Sequence, residues 1–165
     1  KHTRRRGAGV SWFIASAETA EYFMRMDDDI LLYPRQVATL FARLLTEPDI
    51  PHGFCGVDGT RYVHNEESEV DNLYEVYAVT RAHVLRYVEY AERIAAAGAV
   101  SPSAIELWAD DVVLSRTGQG RPKTHDLGPV SRCRTYDTPG VALHREPEFD
   151  ARRQEVLGAV VEMLH

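Results

Sequence analysis

The chain has 165 residues, an ordinary hydrophobic content of 44% and a formal charge of −6. That length allows one domain with its own core, and the acidic balance gives no general attraction to nucleic acid or anionic membranes. The sequence contains no run of ~18 apolar residues that would predict a membrane span. No signal peptide is visible, and the sequence does not assign a location, although a cytoplasmic one is favoured. The only cysteines, Cys55 and Cys133, are widely spaced, which favours reduced side chains over a zinc site.

A basic N-terminal cluster precedes the first predicted helix, which covers residues 7–20. Its apolar stripe would consist of Val10, Phe13, Ile14 and Ala17. Gly7 and Gly9 would leave the backbone open, so that a phosphate could approach the start of this helix with Arg5 or Arg6 nearby. A solvated basic tail is an equally good interpretation of the same residues.

The next stretch, residues 22–34, carries three consecutive carboxylates, Asp27, Asp28 and Asp29, after a short apolar run. A strand of this kind delivers its polar end to the carboxyl edge of the sheet, where ligands of open α/β sheets bind. Three adjacent aspartates repel one another, and Mg²⁺ or Mn²⁺ would offset that repulsion and leave room for substrate phosphates. A solvated acidic turn is the alternative. Arg25 would balance the charge or touch a phosphate.

Turn and capping signals predict the middle of the chain. Pro34 is suited to the first position of a helix, and Asp58-Gly59 between two β-type runs predicts a hairpin. The alternating segment 73–79 predicts a strand. Thr80 would cap a helix over 81–97 that Gly98 closes.

A second acidic pair, Asp110 and Asp111, falls on a helix predicted from Ser101-Pro102 to about Ser115. Adjacent helical residues point about 100° apart, so at most one of the two can face a given site squarely. The basic loop over 118–129 resembles loops that close over phosphates. The remaining predicted elements are a strand over 130–136, a turn over 137–140, an apolar run ending at His144 and a last helix from Pro147.

Three motifs, in this order, resemble metal-dependent glycosyltransferases with the GT-A fold. MRMDDDILLYP looks like the DxD strand of that group, LWADDVVLS like its later (E/D)D-V-x-L helix, and RRRGAGVSWFIASAETAEYFMRMDDD like the Gly-containing helix that runs into the strand. The fringe and β-1,3-galactosyltransferase branch and the family-2 inverting transferases are the most similar branches. The resemblance covers about residues 5–144. It implies an α/β fold, with a GT-A-like, Rossmann-like mixed sheet flanked by helices.

The resemblance also implies roles for individual residues. Mn²⁺ or Mg²⁺ would be held by Asp29, Asp27 and His144, and it would bridge the phosphates of a nucleotide-sugar, with a UDP-sugar favoured. The donor itself would be bound by Asp27, Asp28, Arg25 and Arg6. Asp111 would be the general base that deprotonates an acceptor hydroxyl, giving inversion. Asp110 is the alternative base, and His125 the alternative histidine ligand.

One departure from this family concerns the N-terminus. GT-A domains normally begin with a strand and helix that hold the nucleotide base, and this sequence begins after them. We therefore expect a single catalytic domain over 1–165 that either lacks the usual N-terminal segment or is a minimal form that holds the nucleotide differently. Its sheet would expose an unpaired edge, so a homo-oligomer, another partner chain or an omitted segment is expected.

Two other classes of function remain open. Asp27, Asp29 and Asp111 could hold two Mg²⁺ ions around a phosphodiester, as in a phosphotransferase or nuclease, although nucleic-acid enzymes usually show a broader basic surface. The chain could also be a non-catalytic binding module of GT-A type. The sequence does not identify the sugar or the acceptor, and a retaining mechanism would need no base at Asp111.

Overall fold

A computed structural model describes residues 7–98, 100–133, 138, 143–145 and 147–164. The strands of this part are β1 (Tyr22–Met26), β2 (Ile30–Leu31), β3 (His52–Asp58), β4 (Arg61–His64), β5 (Ser68–Glu69), β6 (Asn72–Thr80), β7 (Lys123–Thr124) and β8 (Ser131–Arg132). Its helices are α1 (Val10–Ser16), α2 (Pro34–Thr46), α3 (Arg81–Ala96), α4 (Pro102–Trp108), α5 (Asp110–Ser115) and α6 (Phe149–Leu164), with a short 3₁₀ helix at Leu143–Arg145.

The main sheet is mixed and has the strand order β1-β6-β3-β7-β5, with β4 also paired to β3. The pair β3–β7 is parallel, whereas β1–β6, β3–β6, β3–β4 and β5–β7 are antiparallel. Strands β2 and β8 form a separate antiparallel pair. The prediction of an α/β protein with a mixed sheet flanked by helices is confirmed at this level. Within the described residues β1 is an edge strand of the main sheet.

The sheet separates two apolar cores. Trp12 of α1, Tyr87 of α3 and Val112 of α5 belong to the core on one face. Leu40 and Leu44 of α2 belong to the core on the other face. Strand β6 contributes to both, through Leu73, Tyr77 and Val79 on the first face and Tyr74, Val76 and Ala78 on the second. Strand β6 is therefore covered on both faces and connects the two cores.

Local turn and capping signals were accurate. Helix α2 begins at Pro34, and the hairpin turns at Gly59, whose φ of +59° suits glycine. Thr80 is the N-cap of α3, and Gly98, with a φ of +74°, follows its C-terminus. Within the described residues no helix is long and apolar enough to cross a bilayer.

The first predicted helix differs from the observed one. Helix α1 is only seven residues long, and its buried residue is Trp12. Of the predicted stripe, Phe13 packs against the core, but Ile14 is 62% exposed, so the stripe was wrong at that position. The open backbone expected at Gly7 and Gly9 was also wrong. Both glycines are buried, and a Cβ on Gly7 would lie 2.1 Å from the carbonyl oxygen of Glu106. The glycines therefore allow close packing on α4.

The C-terminal part contains three further differences. The helix predicted through Ser115 is interrupted at Ala109, whose φ of −146° is not helical, and so becomes α4 and α5. The basic loop over 118–129 contains β7. The strand predicted over 130–136 is observed as β8 alone, and residues 134–137 and 139–142 lie outside the described residues.

Candidate functional site

Arg25 joins the two acidic motifs of the chain. Its Nη2 donates to Oδ1 of Asp27 at 2.8 Å, and its Nη1 donates to Oδ2 of Asp110, also at 2.8 Å. Nη1 also lies 3.3 Å from the hydroxyl of Tyr77, whose ring the guanidinium covers at 5.3 Å. Residues 27 and 110 are far apart in sequence, so this contact was not visible as a local pattern.

The local structure explains why these side chains meet. Strands β1 and β6 are antiparallel, with Arg25 directly opposite Tyr77, so both side chains lie on the sheet face that α5 covers. The interruption at Ala109 starts α5 at Asp110, in the first turn of that helix. Carboxylates are favoured near a helix N-terminus because of the unpaired N–H groups there.

Burial raises the pKa of both carboxyl groups that contact Arg25. The pKa of Asp27 is raised to about 6, mainly by desolvation, although Arg25 acts in the opposite direction. The pKa of Asp110 is raised to about 7 by desolvation and by the nearby charges of Asp111 and Asp27, again against Arg25. Burial alone would lower the pKa of Arg25, but Tyr77 and the two carboxylates raise it, so Arg25 remains charged.

Asp111 faces a different arginine. Arg153 of α6 donates from Nη2 to Oδ2 of Asp111 at 2.6 Å and from Nη1 to Oδ1 at 3.2 Å. The same Nη1 donates to the carbonyl oxygen of Trp108 at 2.7 Å, and the backbone N–H of Val112 donates to Oδ1 of Asp111 at 2.9 Å. The two neighbouring aspartates thus contact different arginines, in keeping with helical geometry. The role of Asp111 as general base stays a prediction.

The triple aspartate forms the turn between β1 and β2. The N–H of Ile30 donates to the carbonyl oxygen of Asp27 at 3.3 Å, and the N–H of Cys133 donates to that of Asp29 at 2.7 Å. Asp28 is exposed, whereas Asp27 and Asp29 are half-buried. The charge of Asp29 contributes to the raised pKa of Asp27.

The residues of this turn fit a Mg²⁺ or Mn²⁺ ion that is shared with a substrate. Such ions are often held by one or two carboxylates, with water and substrate phosphates completing the coordination. Asp27 and Asp29 supply that number. No group of three or more His, Cys, Asp or Glu side chains suited to a metal occurs among the described residues.

The structure places two of the three remaining predicted ligands, His144 and His125, but not Arg6. His144 is exposed in the 3₁₀ helix, and its role as a metal ligand stays a prediction. The alternative ligand, His125, has both ring nitrogens in hydrogen bonds, Nδ1 with Glu67 and Nε2 with His52, and its role as a metal ligand also stays a prediction. Arg6 lies outside the described residues.

Sequence reasoning missed Glu75. This residue of β6 is only 7% exposed and has a φ of +66°. Its carbonyl oxygen accepts the N–H of Asp27 at 3.0 Å, and its Oε2 lies 2.6 Å from Nη2 of Arg132. The available signal was a glutamate in the middle of the otherwise apolar strand segment LYEVYAV. A buried charge on a central strand is rare without a partner.

Comparison of the chain with protein-family models, with curated proteins and with solved structures found no match in any of the three.

Proposed function

We propose that this chain is a GT-A-type glycosyltransferase that moves a sugar from a nucleotide-sugar, with a UDP-sugar favoured, to an acceptor hydroxyl with inversion. The observation that carries the proposal is the double contact of Arg25 with Asp27 and Asp110. It brings the carboxylate-bearing end of β1 to the start of α5. An inverting transferase needs a group that holds the donor's diphosphate near a group that accepts the acceptor's proton.

Asp27 and Asp29 would hold the divalent ion that the donor's phosphates share. Bound there, Mg²⁺ or Mn²⁺ would neutralise charge on the departing nucleoside diphosphate. Arg25 keeps its positive charge next to Asp27, so it limits the repulsion between this turn and the phosphates. The charge of the site therefore suits an anionic donor better than the bare triple aspartate would.

Of the two predicted bases, Asp110 has the properties of a proton acceptor. Its pKa of about 7 lies near neutral pH, where a general base is most effective. In the proposed step, the acceptor's O–H bond breaks and its proton passes to Asp110. The oxygen then bonds to the anomeric carbon as the bond from that carbon to the diphosphate breaks. Asp111, fixed by Arg153, would orient the start of α5.

The test combines binding and turnover in matched variants. Thermal shifts of the wild type with UDP-, GDP- and dTDP-sugars, with and without Mn²⁺, identify the donor. Asp27→Asn should then lose Mn²⁺-dependent binding of that donor. Asp110→Asn should keep binding and lose about 10²–10⁴-fold in release of the nucleoside diphosphate. Asp49→Asn, an exposed aspartate elsewhere on the surface, is the control for the change of charge.

Other results would contradict the proposal or favour one of the alternatives. If no nucleotide-sugar stabilises the wild type in the presence of Mn²⁺, the proposal is wrong. Stabilisation by DNA would favour the phosphodiester alternative. Donor binding without turnover towards any acceptor, water included, would favour the non-catalytic module. If Asp110→Asn keeps its full rate and Asp111→Asn loses it, the base is Asp111.

A further inference from the structure

We propose that Glu75 is a positioning residue that holds the turn carrying Asp27 and Asp29 in place. The inference rests on the proposed function, since it assigns this turn to binding the metal and diphosphate. Glu75 need not touch the donor or the metal. It would act through Arg132 and through the backbone of the turn.

The backbone conformation of Glu75 places its side chain on the opposite face of the sheet from the one that regular strand alternation predicts. Alternation along β6 would place Glu75 on the same face as Leu73 and Tyr77, in the core that α3 and α5 cover. Its Oε2 instead accepts a hydrogen bond from Sγ of Cys55 at 3.3 Å, and Cys55 belongs to the core on the opposite face. The register between β3 and β6 shifts in this region, as at a β-bulge. The left-handed φ of Glu75 accompanies this reversal.

The reversal allows one residue to fix both ends of the turn. At the first end, the carbonyl oxygen of Glu75 accepts the N–H of Asp27. At the other end, its carboxylate binds Arg132, which lies opposite Ile30 in the β2–β8 pair. Cys133, the next residue along, donates its N–H to the carbonyl oxygen of Asp29. Asp27 and Asp29 are thus both held by groups that depend on Glu75.

The conformation of Glu75 is unfavourable for a residue with a side chain, since the left-handed region suits glycine, or occasionally asparagine and aspartate. Strained backbone of this kind persists where surrounding contacts require it, and it occurs preferentially near functional sites. Here the ion pair with Arg132 and the hydrogen bond to Asp27 are such contacts. Groups that support a metal-binding residue from outside typically change metal affinity about 10–100-fold when they are replaced.

The experiment uses Glu75→Gln, Arg132→Gln and the double variant, with Glu69→Gln, an exposed glutamate of β5, as the matched control. The first readout is amide hydrogen exchange at Cys133 in metal-free protein, which reports the hydrogen bond to Asp29. The second is the dissociation constant of the Mn²⁺–UDP complex by calorimetry. Arg132→Gln changes a more exposed residue, so it covers the case in which Glu75→Gln fails to fold.

We expect each single variant to exchange faster at Cys133 and to bind Mn²⁺–UDP about 10–100-fold more weakly. The double variant should be no weaker than the weaker single variant, because both substitutions break the same ion pair. Unchanged exchange and unchanged affinity, with wild-type binding intact, would overturn the positioning role and leave the proposed function standing. If the wild type itself fails to bind Mn²⁺–UDP and every other nucleotide complex, the proposed function fails. The assigned role for the turn then fails with it, even if the exchange at Cys133 still responds.

Discussion

Nη1 of Arg25 lies 2.8 Å from Oδ2 of Asp110, and both side chains are largely withdrawn from water, at 16% and 10% exposure. Replacing Arg25 by Met would leave two carboxylates without the positive charge between them. Because breaking one side of a buried ion pair costs about 3–5 kcal/mol, we expect the free energy of unfolding at pH 8 to fall by about that amount. Urea denaturation measures it, and Arg35→Met, at an exposed arginine of α2, is the control.

The loss caused by Arg25→Met should depend on pH. The pKa values of Asp27 and Asp110, about 6 and 7, mean that both groups take up protons on mild acidification. A neutral carboxyl group needs no counter-charge, so the loss should be smaller at pH 5 than at pH 8. Equal losses at both pH values would show that Arg25 contributes through packing on Tyr77 instead.

Asp110 should also make the stability of the protein dependent on pH. Its folded-state pKa of about 7 lies above its ordinary value of 3.8, so the folded state binds more protons than the unfolded state between these limits. The contribution of protonated Asp110 to the free energy of unfolding is fully present below about pH 4 and is lost as the pH rises through about 7. Denaturation curves between pH 4 and 8 should show this decline, and Asp110→Asn should flatten it. A variant with the same slope as the wild type would show that the pKa of Asp110 is not raised.

If Asp110 acts as the general base, as proposed, its deprotonation should raise the rate of catalysis, whereas it lowers the stability of the fold. The deprotonated form accepts the proton, so the rate of transfer at limiting donor should rise with pH through about 7. The measurement is release of nucleoside diphosphate over a series of buffers of constant ionic strength. A rate that is independent of pH between 6 and 8 would contradict this assignment.

The buried pair His52 and His125 needs three ring protons. His125 Nδ1 is bonded to Oε2 of Glu67 at 2.7 Å, the two rings are bonded at 2.8 Å, and His52 Nε2 is bonded to the carbonyl oxygen of Glu47 at 2.9 Å. The two outer partners can only accept, whereas two neutral rings carry only two protons in total. Burial lowers the pKa of His52, which disfavours the additional proton on that ring.

Nitrogen-15 NMR of the imidazole groups tests this assignment. At pH 6 one ring of the pair should carry protons on both nitrogens, and Glu67→Gln should remove that signal at the same pH, because the carboxylate facing the cation is gone. Glu66→Gln, at the neighbouring exposed glutamate, is the control. Two singly protonated rings in the wild type at this pH would contradict the proton count.

Two glycine-to-alanine substitutions should have opposite effects on stability. At Gly7 the added Cβ would lie 2.1 Å from a backbone oxygen of α4, so α1 must shift, and overpacking of this kind costs about 1–3 kcal/mol. At Gly158 of α6 the added Cβ meets nothing within 4 Å, and alanine is favoured in a helix interior by about 0.5–1 kcal/mol. Chemical denaturation of both variants measures the two changes. Destabilisation by Gly158→Ala would show that this side of α6 is covered.

The sequence predicted those features that depend on a few adjacent residues. Pro34, Gly59 and Thr80 each determine the local backbone conformation, and the elements they delimit were found where expected. Burial within helices was predicted less well. The stripe in α1 selected Ile14 instead of Trp12, because periodicity shows which residues share a face but not which face the sheet covers.

The candidate site was predictable only in part. Asp27 and Asp110 stood out as acidic residues near the ends of elements, and the structure brings them together through Arg25. The pairing of Asp111 with Arg153 depends on how α6 lies against α4 and α5. The orientation of Glu75 depends on a change of register between β3 and β6. Such contacts between distant segments leave no periodic signal in the sequence.

The β2–β8 pair has a consequence for the order in which the molecule folds. It joins Ile30 to Arg132 across most of the chain, through a ladder only two residues long. The loop-closure entropy of so distant a contact is offset only after the segments between are compact. We therefore expect the sheet and both cores to form first and the aspartate turn to acquire its final shape last. A chain halted just before that step would be collapsed and largely native, with the aspartate turn still unformed.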